Sequence, residues 1–542
     1  MGVPYFFRYI TSNYNNCVIE KLNDKRIILY FDFNGIIYDA KASLSYTNIK
    51  KKIVIEYHLI EKVLEILNKK INSIGFERID TIYIAIDGVA PMAKMTQQRQ
   101  RRYKSVKESE LLQNLNKEYN ITSDKIVWDT NAITPGTKFM ERLNNALEFY
   151  RTRMTEIFPN MEIIIDNSDT PGEGEHKLLH HMNVNKDIHK NKNKVIYGLD
   201  ADLIILTMLK GYPNTYLFRE SSYYPFKVDE NIEYLFMNIN DFRDEIMREF
   251  GISELEHSDN AFQDYIFLTF LLGNDFIPNL FILKIQKDGF EYMRDIYKNG
   301  LTKYKRFLIS NNGIDLEFLS FIIYGLYKNE NKLLYEQSID IARWKPFLNP
   351  KLSEYDRKKA LINFYPFYTK EKDNIQLGSK GWIERFNKYW IGSNEPEILN
   401  NVVTNYLEGL EWILSYYNNG CKNWFWHYKF PVAPNLYSLY NGIEQMRKKT
   451  KYLNNLVETK QFTSIKAFNL YQLITVIPKK SVKVIPKKYR DLYIKPEFAY
   501  LLPSDFKLLT LFKRFYHECY AVLPRIETYL YNRVEVYLNN DN

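Results

Sequence analysis

Residues 27–33, IILYFDF, decide the fold. The run is apolar, β-branched and aromatic, without polar alternation, and it ends on an acid and a turn, DFNG (32–35). A strand that is apolar at successive positions has both faces covered, as in a parallel sheet between helices. The chain downstream repeats the theme. Helical spacing runs over 56–72, a second strand over 81–86 (TIYIAI) and a long helix over 92–118. Helices at 137–155, 173–183 and 201–209 then alternate with strands at 161–165, 194–198 and 214–218. Such alternation predicts an α/β fold with a mostly parallel sheet. Beyond about residue 230 the pattern is mainly helical, with helices expected at 260–272, 313–328 and 400–418 and a basic loop at 478–490. The Lys/Asn-rich YKNENK before WKPFLNP marks a soft boundary, which divides the chain into 1–345 and a mainly helical 346–542.

Carboxylates punctuate the first of these regions. Asp32, Asp87, Glu173, Glu175, Asp200, Asp202 and Asp275 stand in LYFDFNG, IAIDGVAP, TPGEGEHK, YGLDADLIIL and LLGNDFIP. Asp32, Asp87 and Asp200 fall at or near strand ends, where open α/β sheets build their sites. If the seven meet, their repulsion requires a cation, and so many hard oxygens suit Mg²⁺ or Mn²⁺. That is the usual frame for metal-assisted attack on a phosphodiester. Gly174 and Ala201, between the paired acids, are read as leaving room for a cation or a phosphate. For any one motif the plainer reading is an acid favoured in a helix's first turn by the macrodipole. Five such motifs together make that reading poor.

The segment after Asp87, GVAPMAKMTQQRQRRYK (88–104), sharpens the picture. On a helix, Lys94, Gln98, Arg101 and Arg102 share an arc of roughly 100°. Three cations and an amide on one stripe cradle a phosphate, Arg through forked donors and Lys as a point charge. A solvated basic face is the plainer alternative. The position directly behind an acid of the cluster favours the phosphate.

Composition sets outer bounds. The chain has 542 residues, 45% hydrophobic, with a net charge of +9, which permits a nucleic-acid partner without demanding one. Cys17, Cys421 and Cys519 are scattered, so neither a zinc site nor a disulfide framework is expected. MGVPYFFRYI has no signal-peptide pattern, and YIFLTFLL (265–272) is too short to span a bilayer. A soluble intracellular protein is expected.

Together these stretches resemble the 5′→3′ exoribonuclease (XRN) family. The resemblance is carried by MGVPYFFRYI (1–10), FDFNGIIY (31–38), YIAIDGVAPMAKMTQQRQRRYK (83–104), PGEGEHKLL (171–179), YGLDADLIIL (197–206) and LLGNDFIPNL (271–280). It continues through EGLEWILSYYNNGCKNWFW (408–426), QLITVIPKK (472–480) and IPKKYRDL (485–492), nearly end to end. It implies a PIN-like, flap-endonuclease-like nuclease core with a second, mainly helical region wrapping the active site. The seven acids match the family's metal site, with two Mg²⁺ (or Mn²⁺) ions implied. Lys94, Gln98, Arg101 and Arg102 match its 5′-phosphate pocket. Base stacking falls to Tyr38 near the N-terminus and to Trp424 or Trp426 in NWFW. The implied activity is processive 5′→3′ hydrolysis of 5′-monophosphorylated single-stranded RNA to nucleoside 5′-monophosphates. A monomer in the cytoplasm is implied, with the nucleus as the alternative location. Decapping enzymes would supply such RNA ends, and no residue pattern identifies them. A structure-specific flap-type endonuclease and a catalytically dead RNA-binding scaffold are the competing readings.

The chain departs from the family pattern at Tyr38 and Asn279, where histidine is usual, at Met92, where a basic residue is usual, and in FPVAP (430–434). It is shorter than the cytoplasmic members. Composition and the short form together fit a compact enzyme of a virus or a protist.

Overall fold

The computed structural model describes residues 3, 5–44, 52–121, 128–251 and 259–540. Its centre is a seven-stranded sheet: β1 (Val18–Ile19), β2 (Ile27–Asp32), β3 (Ile79–Ala85), β4 (Glu162–Asp166), β5 (Asn193–Tyr197), β6 (Thr215–Glu220) and β7 (Tyr234–Asn238). The strand order is β1-β7-β6-β5-β2-β3-β4. The five from β6 to β4 are parallel, and β7 and β1 add antiparallel at one edge. The chain runs from β2 outward through β3 to β4, then returns to β5 on the other side of β2. Strand order therefore reverses between β2 and β5, and a crevice opens there at the carboxyl ends.

The opening run explains the layering. Ile27, Leu29 and Phe31 enter one buried cluster with helices Lys52–Ile74 and Lys138–Ile157. Ile28 and Tyr30 enter a larger one with helices Gly174–Val184, Asp202–Lys210 and Asp259–Leu271. Both faces of β2 are covered, which is why its sequence lacks polar alternation. The larger cluster continues into helix Pro396–Asn419 through Tyr406, Leu410 and Trp412. A third cluster joins Met92 and Met95 of helix Met92–Glu118 to helices Ile465–Val476 and Tyr529–Asn540.

Three expectations need correction. β7 lies in the stretch read as helical, because a five-residue apolar run such as YLFMN carries no decisive period. The helix expected from 313 begins at Leu316, because Asp315 caps it by accepting from the Glu317 and Phe318 N–H groups, each at 2.9 Å. The basic loop 478–490 contains two 3₁₀ segments, Lys479–Val484 and Lys487–Tyr493.

One buried acid makes a testable staple. Asp264 accepts from Tyr297 Oη, Leu308 N and Ile309 N, each at 2.7 Å, and burial pushes its carboxyl up to about 7. The folded state therefore binds this proton more tightly than the unfolded chain. Stability from this group is full below the unfolded value of about 3.9 and is lost as pH rises through about 7. Urea midpoints at pH 5, 6.5 and 8 should show a shallower decline in Asp264→Asn than in the wild-type chain; equal slopes would remove Asp264 as the cause.

Candidate active site

Asp32 ends β2, and the loop after β3 carries Asp87. Asp87 is held by its neighbours: Asn34 Nδ2 donates to Oδ2 at 2.6 Å and Gly174 N donates to Oδ1 at 2.7 Å. The loop around Gly88 is stitched to the turn before Glu173, with Gly88 N to Gly172 O at 2.9 Å and Gly172 N to Val89 O at 2.8 Å. A β-carbon on Gly88 would lie 1.7 Å from Thr170 O, so only glycine permits this approach. The stitch sets Glu173 at the N-cap and Glu175 in the first turn of helix Gly174–Val184, beside Asp87. Lys177, on the next part of the same helix, donates to Ile86 O at 2.8 Å and Asn167 O at 2.7 Å, tying the helix to both strand ends.

Asp200 follows β5, and Asp202 opens helix Asp202–Lys210. Arg219 Nη2 fixes the Asp200 carbonyl at 2.8 Å. Asp275 comes from a loop after helix Asp259–Leu271, shaped by Asn274 Oδ1, which accepts from Phe276 N at 2.9 Å and Ile277 N at 3.0 Å. Asn279, one of the departures, supports this loop by donating to Leu280 O at 3.0 Å and Leu283 O at 3.1 Å.

Carboxylate oxygens of Asp32, Glu175 and Asp200 lie within 4.8 Å of one another, and so do ligand atoms of Glu173, Glu175 and His176. These clusters could hold a metal. The electrostatics agree. Burial, then the charges of Asp87 and Asp200, drives Asp32 well above the usual carboxylate range. Burial does the same to Glu175, reinforced by Glu173 and Asp202, and lifts Asp202 to about 7. Such acids are short of positive charge, and Asp202 Oδ1 is buried without a hydrogen-bond partner.

Lys94 supplies part of that charge. Its Nζ reaches Asp275 Oδ2 at 2.8 Å and pairs with Glu173. Burial works against its ammonium, yet Asp275, Glu173 and Glu175 hold its pKa well above the ordinary value. Gln97 Nε2, from the same helix, donates to Asp275 Oδ1 at 2.8 Å. Lys94 thus stands among the acids, and the following turns of its helix carry Gln98, Arg101 and Arg102. Arg101 is the outermost of these, with Nη2 3.8 Å from Asp275 Oδ1. Arg102 Nη1 and Gln98 Oε1 are buried without hydrogen-bond partners. The remaining polar residues of the stretch face away and brace the helix. Arg99 Nη1 donates to Pro524 O at 2.6 Å, Gln100 Nε2 to Ala521 O at 2.8 Å, and Tyr516 Oη to Lys104 O at 2.7 Å.

The aromatic candidates differ in placement. Tyr38 is 49% exposed, with Arg102 near enough for its charge to act on the phenol. Trp424 is half-buried, edge-on to Phe462 at 4.9 Å and Phe468 at 5.7 Å. Trp426 is buried and stacked on Trp412 at 5.1 Å. Met92 is fully buried, with Tyr471 Oη 3.6 Å from its sulfur, so its side chain belongs to the core and not to a substrate-facing surface.

One feature has no signal in the sequence: Tyr416 Oη, from helix Pro396–Asn419, donates to Glu173 Oε1 at 2.8 Å, and no local pattern signals a partner 243 residues away. At Gly174, read as leaving room for a cation or a phosphate, a β-carbon would lie 2.8 Å from Asp32 Oδ1 and 3.0 Å from Ala85 O, so the missing side chain lets Asp32 approach closely. Gly174→Ala should therefore displace Asp32 and lower metal-dependent hydrolysis by about 100-fold while leaving far-ultraviolet circular dichroism unchanged. Wild-type rates in this variant would show that the site tolerates the shift.

An acid cluster at the switch point of a parallel sheet, joined by one helix to a buried guanidinium, defines a PIN-like nuclease core. Family profiles agree: that of the XRN 5′-3′ exonuclease N-terminus matches residues 1–221, and that of the Xrn1 helical domain matches residues 256–363 and 365–540. The chain belongs to the XRN 5′-3′ exonuclease family. It is 24% identical to "5'-3' exoribonuclease 2" of Arabidopsis thaliana over 97% of this chain and 66% of that protein. Identity to the Gallus gallus protein of the same name is also 24%, over 97% and 69%. Identity to "5'-3' exoribonuclease 1" of Saccharomyces cerevisiae is 25%, over 91% and 40%. The chain thus spans about two thirds of the first two relatives' length and less than half of the yeast protein's. These relatives lend no support to a viral source. Among the described residues, no helix is long and apolar enough to cross a membrane.

Proposed function

We propose that this member of the exoribonuclease family hydrolyses 5′-monophosphorylated single-stranded RNA processively from its 5′ end, releasing nucleoside 5′-monophosphates. One observation carries the reading. A single helix carries Lys94 among the acids and, within about two further turns, presents the Arg102 guanidinium, whose buried Nη1 has no hydrogen-bond partner. A phosphate bound by the second feature would lie a short step from chemistry at the first, which supports cutting from the phosphorylated end.

The residues fit a divalent cation: hard oxygens only in the Asp32–Glu175–Asp200 set, raised carboxyl pKa values at Asp32 and Glu175, and an orphaned Asp202 oxygen. Asp32, Asp87, Glu173, Glu175, Asp200, Asp202 and Asp275 would hold two Mg²⁺ or Mn²⁺ ions, which when bound supply Lewis acidity to the scissile phosphate and lower the pKa of the attacking water. The chain's own groups do the rest. Arg102 and Arg101 bind the terminal phosphate by charge-assisted hydrogen bonds. Gln98 adds an amide whose oxygen and nitrogen can exchange places to suit a phosphate acceptor. Tyr416 orients the Glu173 carboxylate. Tyr38 and Trp424 offer faces to the first bases, at about 1–3 kcal/mol per stacked base; the buried Trp426 stacks on Trp412 instead. On this reading the working form is a monomer in the cytoplasm that receives ends made by decapping.

The test compares RNAs of one sequence bearing a 5′-monophosphate, a 5′-triphosphate or a 5′-hydroxyl. Mononucleotides released from the monophosphate substrate at a rate at least about 10-fold above the others are expected. Equal decay of all three sinks end selection. A single oligonucleotide product favours the flap-type endonuclease, and no metal-dependent hydrolysis favours the scaffold.

A further inference from the structure

His176 directly follows Glu175 in the chain and has no place in the proposed chemistry. Its surroundings are specific. A ring nitrogen of His176 lies within 4.8 Å of carboxylate oxygens of both Glu173 and Glu175. Its Nε2 is shut off from solvent and has no hydrogen-bond partner. A buried imidazole nitrogen left unpaired costs free energy unless something fills the position.

The ring is also held in place. It packs at 4.0 Å and 32° on Tyr416, whose hydroxyl donates to Glu173. Tyr416 stacks on Trp412 at 4.8 Å, and Trp412 on Trp426 at 5.1 Å. Four rings therefore form a continuous column from the NWFW segment to the acid cluster. Positioning of this kind suits a ligand whose orientation matters. The ring so held has one nitrogen within 4.8 Å of two carboxylates and its Nε2 unpaired.

We infer that His176 is a nitrogen ligand, completing with Glu173 and Glu175 one divalent-cation position that prefers Mn²⁺ over Mg²⁺. Imidazole nitrogen suits transition metals, whereas Mg²⁺ takes oxygen almost exclusively. The position formed by Asp32, Glu175 and Asp200 has oxygen ligands alone, so the two positions differ in metal preference. The inference rests on the cluster being a metal site.

The test uses Mn²⁺ itself, on the whole chain, with binding read by electron paramagnetic resonance. Pulsed spectra of the bound ion should show ¹⁴N modulation that changes on ¹⁵N-histidine labelling. His176→Phe keeps a ring on Tyr416 and removes the ligand. It should lose the modulation and lower the Mn²⁺-over-Mg²⁺ affinity ratio by about 10-fold or more, the scale set by loss of metal-site partners. Bound Mn²⁺ without histidine modulation in the wild-type chain overturns the inference and leaves the metal site standing. Modulation that persists in His176→Phe also overturns it. Failure to bind Mn²⁺ at all overturns the metal reading with it. If His176→Phe does not fold, the labelling comparison on the wild-type chain still decides.

Discussion

Asp200→Ala should lower single-turnover hydrolysis of 5′-monophosphorylated RNA by about 10³-fold or more, while RNA binding in the absence of divalent metal should stay within about threefold of wild type. Asp200 is one of three acids whose oxygens lie within 4.8 Å of one another at the crevice. Removing it takes a ligand from the charge that stabilises the transition state and touches nothing that grips the RNA. The loop itself persists, because Arg219 holds the Asp200 backbone carbonyl rather than its side chain. The same substitution relieves repulsion on Asp32, whose carboxyl is raised by burial and by Asp87 and Asp200. Added Mg²⁺ should raise the melting temperature of Asp200→Ala less than that of the wild type. A variant that keeps wild-type turnover refutes the ligand role; one that also loses RNA binding refutes the separation of grip from chemistry.

Arg102→Ala should lower kcat/KM on 5′-monophosphorylated RNA by about 100-fold and leave the 5′-hydroxyl substrate nearly unchanged. Arg102 pays for its buried place: burial lowers its pKa, and Nη1 has no hydrogen-bond partner. A phosphate supplies what the group lacks. Arg102→Lys should restore only part of the loss, because a point charge cannot make two parallel hydrogen bonds. Arg99→Ala, three residues away, is the control. It breaks bonds to Pro524 and Leu501 carbonyls, so it should lower stability without changing the monophosphate-to-hydroxyl ratio. An unchanged ratio in Arg102→Ala overturns the pocket assignment.

Much of this was legible from residue order. The parallel strands could be read because β2, β3 and β5 are buried on both faces and their apolar runs are uninterrupted. Helix Met92–Glu118 could be read to the residue, and with it the separation of Lys94, Gln98, Arg101 and Arg102 from Arg99 and Gln100. What spacing on that helix could not show is depth. Lys94 lies on the arc with the others but sinks among the acids, because Glu173 and Asp275 arrive from loops distant in sequence. Tyr416 and the ring column were invisible for the same reason: stacking between helices leaves no period in either. Trp424 and Trp426 are two residues apart, and only packing distinguishes the half-buried ring from the buried one.

The bonds that brace the Met92–Glu118 helix carry a consequence for the protein's birth. Glu173 receives its hydroxyl from Tyr416, and the helix is tied to carbonyls as far along as Ala521 and Pro524. A ribosome that has released the first 345 residues has released every acid of the cluster, but not the groups that orient Glu173 and seat the helix. On the proposed function, a nascent chain of that length should be inert toward RNA, sparing the message being translated; RNA hydrolysis by residues 1–345 alone would refute this.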